Sequence, residues 1–181
     1  MLLASLAALA GEVEIRNPQL LADDDAYILT ADFSIDFNAR LEEAVAKGVH
    51  LYFLTEFELT RPRWYWLDEK VISRSQTFRL SYHALTRQYR LSTGALHQSF
   101  DTLDETLRML ARLRNWSVVD KAAVRPDEAY LAGLRVRLDL TQMPKTFQVT
   151  AIANRDWNLA SDWVRWTFVP GDVRPAGVES K

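Results

Sequence analysis

Cysteine is absent from the 181-residue chain, and glycine and proline are scarce, with six of each. Without a thiolate the chain has no cysteine nucleophile, no redox pair, no iron–sulfur ligand and no cysteine-based zinc site. The six glycines form no phosphate-binding loop, and no serine lies in a G-x-S-x-G turn. The composition therefore excludes several catalytic chemistries.

A large charge of one sign is also missing, because 22 Lys and Arg residues nearly balance 24 Asp and Glu residues and leave a net charge of −2. Such a molecule has no overall field that attracts it to DNA, so we expect no nucleic-acid partner. The charge is nevertheless uneven, since residues 11–60 carry eleven acids and three bases, whereas residues 61–114 carry ten bases and five acids. Pairing of opposite charges across neighbouring strands explains this pattern, and an anionic partner is the alternative explanation.

Long hydrophobic runs are absent except at the start of the chain. Residues 1–10 are apolar apart from one serine and end in Ala8-Leu9-Ala10, the small-x-small pattern that signal peptidase cleaves. This run is too short to cross a bilayer, which takes about 20 residues. We predict a signal-peptide remnant at 1–10 and therefore a periplasmic, exported protein with no transmembrane segment in its mature chain. A buried N-terminal helix is the alternative.

Alternation of apolar and polar residues with a period of two dominates the rest of the chain and predicts antiparallel strands. Seven or eight strands in one domain over residues 11–170 favour an immunoglobulin-like antiparallel β-sandwich with two short helices. An α+β fold, with helices on one face of an antiparallel sheet, is the alternative. Pro, Gly and charged residues in 171–181 predict a flexible tail. The predicted strands are 12–16, 27–37, 51–59, 76–82, 89–93, 130–140, 147–151 and 164–168.

Capping signals place the two predicted helices. Asn38 is an N-cap residue for a short helix that ends before Gly48, the glycine expected just beyond a helix C-terminus. Thr102 and Glu105 form a capping box that opens a second helix, which we predict to extend to about Asn115.

Residues that could carry chemistry are few and scattered. The three histidines, His50, His83 and His97, lie on separate predicted elements and lack metal-binding spacing. Glu56 and Glu58 share one strand face, but no accompanying group would perturb them, and the acidic run 23–25 lacks the EF-hand pattern. We therefore predict no catalytic residue, no metal, no cofactor and no enzymatic activity. A catalytic triad assembled in space is the least favoured alternative.

Six tryptophans are the most unusual feature of the composition. Tryptophan is enriched among interface anchors, and it also packs in protein cores. Trp64 and Trp66 have the spacing of residues on one strand face, and Arg61 and Arg63 flank them. Core packing is the favoured interpretation of the tryptophans, and an exposed aromatic–basic patch at Trp64 and Trp66 is the alternative.

A second tryptophan pair lies near the end of the domain. Trp163 and Trp166 have opposite parity, so at most one of them packs inward from a regular strand, and the other needs a different partner. The candidate interaction surface comprises Arg61, Arg63, Trp64, Trp66 and Trp163.

Several segments resemble the proteobacterial exported family known as domain of unknown function 4390. They are residues 90–94, the 100–116 segment and, above all, the Trp-rich segments 155–159 and 161–168. The likeness covers about residues 12–170, which is nearly the whole chain. The resemblance implies an exported protein and an accessory role in signalling, and it implies no catalytic residue.

Two functions are compatible with these features. The first is a non-enzymatic periplasmic module that binds another protein, such as the outer domain of a membrane-bound receptor or sensor, through a sheet edge or an aromatic–basic surface. The alternative is a carrier of an apolar or anionic ligand such as a lipid. Its headgroup contacts would come from Arg63, Arg74, Arg79 or Arg90.

Overall fold

The chain forms two antiparallel sheets joined by a few short helices, which confirms the prediction of a mainly β fold. The computed structural model describes residues 12–65 and 67–176. The smaller sheet has the order β1-β2-β7 and consists of β1 (Val13–Ala22), β2 (Ala26–Ile35) and β7 (Arg112–Asp120). The larger sheet has the order β6-β5-β4-β3-β8-β9 and consists of β3 (Leu51–Arg61), β4 (Glu69–His83), β5 (Gln88–Thr93), β6 (Leu96–Phe100), β8 (Tyr130–Leu138) and β9 (Val164–Phe168).

The helices and 3-10 turns connect and cover these strands. The α-helices are α1 (Ala39–Ala46), α2 (Leu103–Leu110) and α3 (Lys145–Ala153). In the described part of the chain, 3-10 turns lie at Lys121–Ala123, Leu140–Gln142, Arg155–Trp157 and Pro170–Asp172. None of the helices in 12–65 and 67–176 is long and apolar enough to cross a membrane.

Strand β3 shows how the alternating sequence builds the core. Phe53 and Phe57 are fully buried on one face of the larger sheet, whereas Glu56 and Glu58 lie half-buried on the other. We call the first the inner face and the second the outer face. One apolar cluster joins the inner face to buried residues of β2, β7, α1 and α2, so a shared core lies against the inner face.

The predicted helix caps are confirmed. Asn38 accepts hydrogen bonds through its side-chain oxygen from the backbone N–H groups of Arg40 and Leu41, both at 3.1 Å. Gly48 has φ +88°, a left-handed conformation that other residues adopt only at a cost. Thr102 accepts a hydrogen bond from the backbone N–H of Glu105 at 3.2 Å.

The predicted end of the second helix at Asn115 is wrong. Helix α2 ends at Leu110, and residues from Arg112 onward pair with β2 in the smaller sheet. Leu113 and Val118 are buried there, so cross-strand packing outweighs the local helical pattern.

The predicted strand at 147–151 is also wrong, because this segment forms α3. Phe147 contacts Trp157 at a ring-centroid distance of 6.4 Å, and Ala151 is 3% exposed, whereas Val149 is 74% exposed. Residues 147 and 151 are four apart and share a helix face, while residue 149 points away. Three apolar residues with a period of two were too short a signal to exclude a helix.

The strand count and order also differ from the prediction. The described residues contain nine strands and three α-helices, where seven or eight strands and two helices were predicted. Strands β6 and β7 were not predicted, because residues 96–100 were assigned to no element and the second helix was extended to about Asn115. The sandwich-like pair of sheets agrees with the prediction, but an immunoglobulin-like fold is not confirmed, since the strands divide into three and six.

The two ends of the chain were predicted to be a signal-peptide remnant and a tail. Residues 1–11 and 177–181 lie outside the described residues. Within the predicted tail, Ala22 donates its N–H to the carbonyl of Arg174 at 2.9 Å and accepts from the N–H of Ala176 at 2.7 Å. Residues 174–176 therefore run beside the end of β1.

Candidate functional site

The connection between β3 and β4, residues 62–68, exposes large apolar side chains to solvent. We call it the hairpin tip. Trp64 is 94% exposed, Leu67 is 83% exposed and Tyr65 is 62% exposed. The rings of Trp64 and Tyr65 meet edge to face, with centroids 5.0 Å apart. The chain bends at Trp64 and Tyr65 instead of continuing the strand, and Trp66 lies outside the described residues.

Ion pairs hold the base of the hairpin tip. Arg61 pairs in register with Glu69, and its guanidinium lies 3.3 Å from the Glu69 carboxylate and 2.9 Å from the Glu128 carboxylate. The guanidinium of Arg63 also contacts Glu69, and its backbone N–H donates to Asp68 at 3.3 Å. The two arginines of the predicted aromatic–basic patch therefore have carboxylate partners, and the exposed chemistry of the tip is aromatic.

Glu69 links both arginines, and the sequence reasoning missed it. The signal that could have identified it is the pairing of opposite charges across an antiparallel turn, since β3 and β4 are consecutive. The sequence alone could not locate this pair, because it does not show the strand register that places Arg61 opposite Glu69.

Trp163 belongs to a different surface from the hairpin tip. Its ring lies on the outer face against Gly133, where an added Cβ would stand 3.3 Å from the ring. The guanidinium carbons of Arg135 and Arg165 lie 5.0 and 5.4 Å from the ring centroid, within range of a cation–π contact. Trp166, of opposite parity, packs against the core on the inner face.

Opposite charges pair across the strands, as the charge pattern of the sequence suggested. On the outer face Glu56 accepts hydrogen bonds from Arg135 at 2.7 and 2.9 Å and from Arg137 at 3.2 Å. In the smaller sheet the guanidinium of Arg114 lies 2.6 Å from the Asp32 carboxylate. Cross-strand pairing thus accounts for part of the uneven charge along the chain.

Asp139 ends the outer-face network in a buried position. It is 6% exposed, and its carboxylate accepts hydrogen bonds from the Thr141 N–H at 3.1 Å, the Thr141 hydroxyl at 2.7 Å and the Gln142 amide at 2.9 Å. Burial alone would raise the pKa of Asp139, but these hydrogen bonds and the positive charge of Arg137 outweigh it and hold the pKa below its ordinary value.

Replacing Asp139 by asparagine is expected to lower the free energy of unfolding at pH 7 by about 1–3 kcal/mol, because charge-assisted hydrogen bonds are lost. A carboxylate with a lowered folded-state pKa stabilises the fold above its unfolded pKa of about 3.9, and this contribution is lost as the pH falls through the folded pKa. Urea unfolding at pH 7, 5 and 3 measures the effect. The variant should show a shallower acid loss of stability, and an unchanged pH dependence would contradict the assignment.

The histidines remain apart. His83 accepts a hydrogen bond from the backbone N–H of Thr86 at 3.4 Å. Burial first, and then the positive charge of Arg79, lower the pKa of His50. Among residues 12–65 and 67–176 no three His, Asp or Glu side chains converge on a site that could hold a metal ion.

A groove lies between α1 and α3. It encloses about 250 Å³ and opens to solvent, with Ala44, Lys47, Phe147 and Trp157 among its lining residues. Its walls mix charged and apolar side chains.

The two antiparallel sheets and the solvent-exposed apolar side chains of the hairpin tip define the class of this protein: a β-rich domain with an exposed aromatic hairpin. The family described as domain of unknown function (DUF4390) matches residues 10–167, and the chain belongs to this family. The resemblance seen in the sequence is therefore confirmed. No curated protein and no solved structure matches the chain.

Proposed function

We propose that this domain is a non-enzymatic protein-binding module whose hairpin tip inserts into an apolar pocket of a partner protein. The exposure of Trp64, Tyr65 and Leu67 on one short connection carries the proposal. Burying a tryptophan and a tyrosine at an interface provides large apolar contact area, and these residue types dominate binding hot spots.

The charges around the tip favour a protein pocket over an anionic lipid surface. Juxtamembrane attraction to anionic lipids needs free Lys or Arg side chains. Arg61 and Arg63 are instead paired with Glu69 and Glu128, and Asp68 adds a further negative charge beside the tip. The same ion pairs fix the base of the tip, which reduces the entropy lost when it binds.

The partner we propose is the outer domain of a membrane-bound receptor or sensor in the periplasm. Two features support it: the apolar run at residues 1–10, which is predicted to be a signal-peptide remnant, and the accessory signalling role that the family resemblance implies. An aromatic tip whose base is held by ion pairs suits insertion into a preformed apolar pocket of a folded domain.

Replacing Trp64 by alanine is expected to weaken partner binding by at least about 30-fold, because a hot-spot side chain contributes 2 kcal/mol or more. The unfolding midpoint should stay unchanged, since the side chain makes little contact with the core. Quantitative crosslinking capture from periplasm and membranes identifies proteins lost in the variant, and titration calorimetry with the purified partner domain then measures the dissociation constant.

Leu85 provides the matched control, because it is 93% exposed in the turn between β4 and β5. Leu85→Ala should leave capture and affinity unchanged. Equal loss in both variants, or a Trp64→Ala protein that unfolds at lower temperature, would contradict the proposal. Trp64-dependent binding to phosphatidylglycerol vesicles, with no protein captured, would replace the protein partner by a membrane.

A further inference from the structure

The outer face of the larger sheet brings two arginines together on β4 and β5. Arg79 pairs with Tyr52 of β3 on one side and with Ser92 of β5 on the other. Two residues earlier on β5, Arg90 pairs with Ser81 of β4. Arg79 and Arg90 are therefore diagonal neighbours on one sheet face, a spacing that long side chains readily bridge.

Neither of these guanidinium groups has a carboxylate within 4.0 Å in the described part of the chain. Their neighbours on the same face differ, since Lys70 pairs with Glu58, and Arg135 and Arg137 pair with Glu56. Adjacent like charges repel, and an anion placed between them removes the repulsion.

One carboxylate follows β6 close to this region. Asp101 comes directly after Phe100, which ends that strand, and it accepts a hydrogen bond from the Gln88 amide at 3.2 Å. The carboxylate is therefore engaged with a neutral partner, and the two arginines retain their uncompensated charge.

Two buried polar atoms of this group of residues have no hydrogen-bond partner among residues 12–65 and 67–176. One is the hydroxyl oxygen of Ser92, which lies directly opposite Arg79 and is 7% exposed. The other is the Nε atom of Arg90. A buried donor that is left unpaired destabilises a protein, so such atoms call for a physical explanation.

We propose that Arg79, Arg90 and Ser92 form a binding site for a phosphate group. The two guanidinium groups and the Ser92 hydroxyl offer donors from two strands of the same sheet face. A tetrahedral phosphate spreads its oxygens in more directions than a planar carboxylate, so it suits donors that come from separate strands. Arginine is suited to phosphate because its planar guanidinium donates two parallel hydrogen bonds.

The structure brings together only two of the four arginines that the sequence offered for an anionic headgroup. Arg63 is held by Glu69 at the hairpin tip, and Arg74 lies 3.9 Å from Asp120 of β7. The phosphate site is distinct from the hairpin tip, so its existence does not depend on the proposed protein partner.

Titration calorimetry with inorganic phosphate, and cosedimentation with phosphatidylglycerol vesicles against phosphatidylcholine vesicles, test the site. Arg79→Gln and Arg90→Gln should each raise the dissociation constant about tenfold or more, since a hydrogen bond to a charged group is lost. If the protein binds inorganic phosphate but neither kind of vesicle, the ligand is a soluble phosphate. If it binds phosphatidylglycerol vesicles but not phosphatidylcholine vesicles, the ligand is a lipid headgroup. Absence of both overturns the proposal.

Arg112→Gln is the matched control, because it removes the same charge from an exposed position on β7 of the other sheet. Its affinity for phosphate should equal that of the parent protein. If Arg112→Gln lost as much affinity for phosphate as Arg79→Gln and Arg90→Gln, the binding would reflect general charge attraction, and the proposed site would be overturned. Trp64→Ala should bind phosphate normally, so failure of the hairpin-tip proposal and failure of this one are distinguishable.

Ser92→Ala separates binding from structure. Because the hydroxyl has no partner, its removal should leave the unfolding midpoint unchanged or raise it. The same variant should weaken phosphate binding severalfold. A lower midpoint with unchanged phosphate affinity would assign Ser92 a structural role and contradict its place in the site.

Discussion

Replacing Phe57 by alanine is expected to lower the free energy of unfolding by about 3–5 kcal/mol, the cost of deleting a large buried aromatic side chain. Phe57 is fully buried at the centre of the larger sheet, where β3 lies between β4 and β8. It pairs in register with Leu134, which is also fully buried. A cavity at this position cannot collapse easily, because packed strands on both sides hold it open.

Glu58→Ala is the control for this substitution, since Glu58 is the next residue and lies on the outer face. Its loss removes an ion pair with Lys70 and should cost less than about 1 kcal/mol. Urea unfolding followed by circular dichroism measures both variants. Similar costs for the two would contradict the assignment of inner and outer faces, on which the location of the phosphate site depends.

Replacing Ala151 by glutamate is expected to destabilise the protein by about 3–5 kcal/mol, because it places an unpaired charge in the core. Ala151 is 3% exposed on the buried face of α3. In the same helix Val149 is 74% exposed, and Val149→Glu should change the stability by no more than about 0.5 kcal/mol.

This pair of substitutions distinguishes a helix from a strand at residues 145–153. In a strand, residues 149 and 151 would share one face and both glutamates would have similar effects. In α3 they point to different sides, so the costs should differ by several kcal/mol. Chemical denaturation of the two variants measures this difference, and equal costs would favour the strand that the sequence pattern suggested.

The two proposed sites use different parts of the larger sheet. The hairpin tip presents apolar rings at the end of β3 and β4, and the phosphate site lies on the outer face of β4 and β5. Strand β4 contributes to both, through Glu69 at one end and Arg79 further along. A single rigid strand thus fixes the positions of an aromatic tip and a basic site.

Long alternating segments were predicted well from the sequence, and the short ones gave mixed results. The five-residue segments 89–93 and 164–168 are strands, whereas 147–151 is a helix. Residues 51–59 alternate over nine positions, and the observed β3 contains all of them. The three apolar residues at 147, 149 and 151 are too few to exclude a helix, in which residues 147 and 151 also share a face. Strand β7 follows α2 without a break because pairing with β2 decides its conformation.

The candidate site was partly visible in the sequence. Trp64 and its arginine neighbours were recognised as unusual, yet their sequence does not reveal that Glu69 contacts both arginines and that Glu128 also pairs with Arg61. Trp163 was grouped with them but lies against Gly133 on another surface. Arg79 and Arg90 are eleven residues apart, and only the register between β4 and β5 makes them neighbours.

The sequence by itself determined the mainly β class, the starts of α1 and α2 and the family, because alternation, capping residues and family motifs act within short stretches of chain. The tertiary structure decided which charges are paired, which tryptophan is exposed, and which arginines share a face. These properties depend on strand register and on the packing of distant segments, and both arise from the sum of many weak contacts across the whole fold.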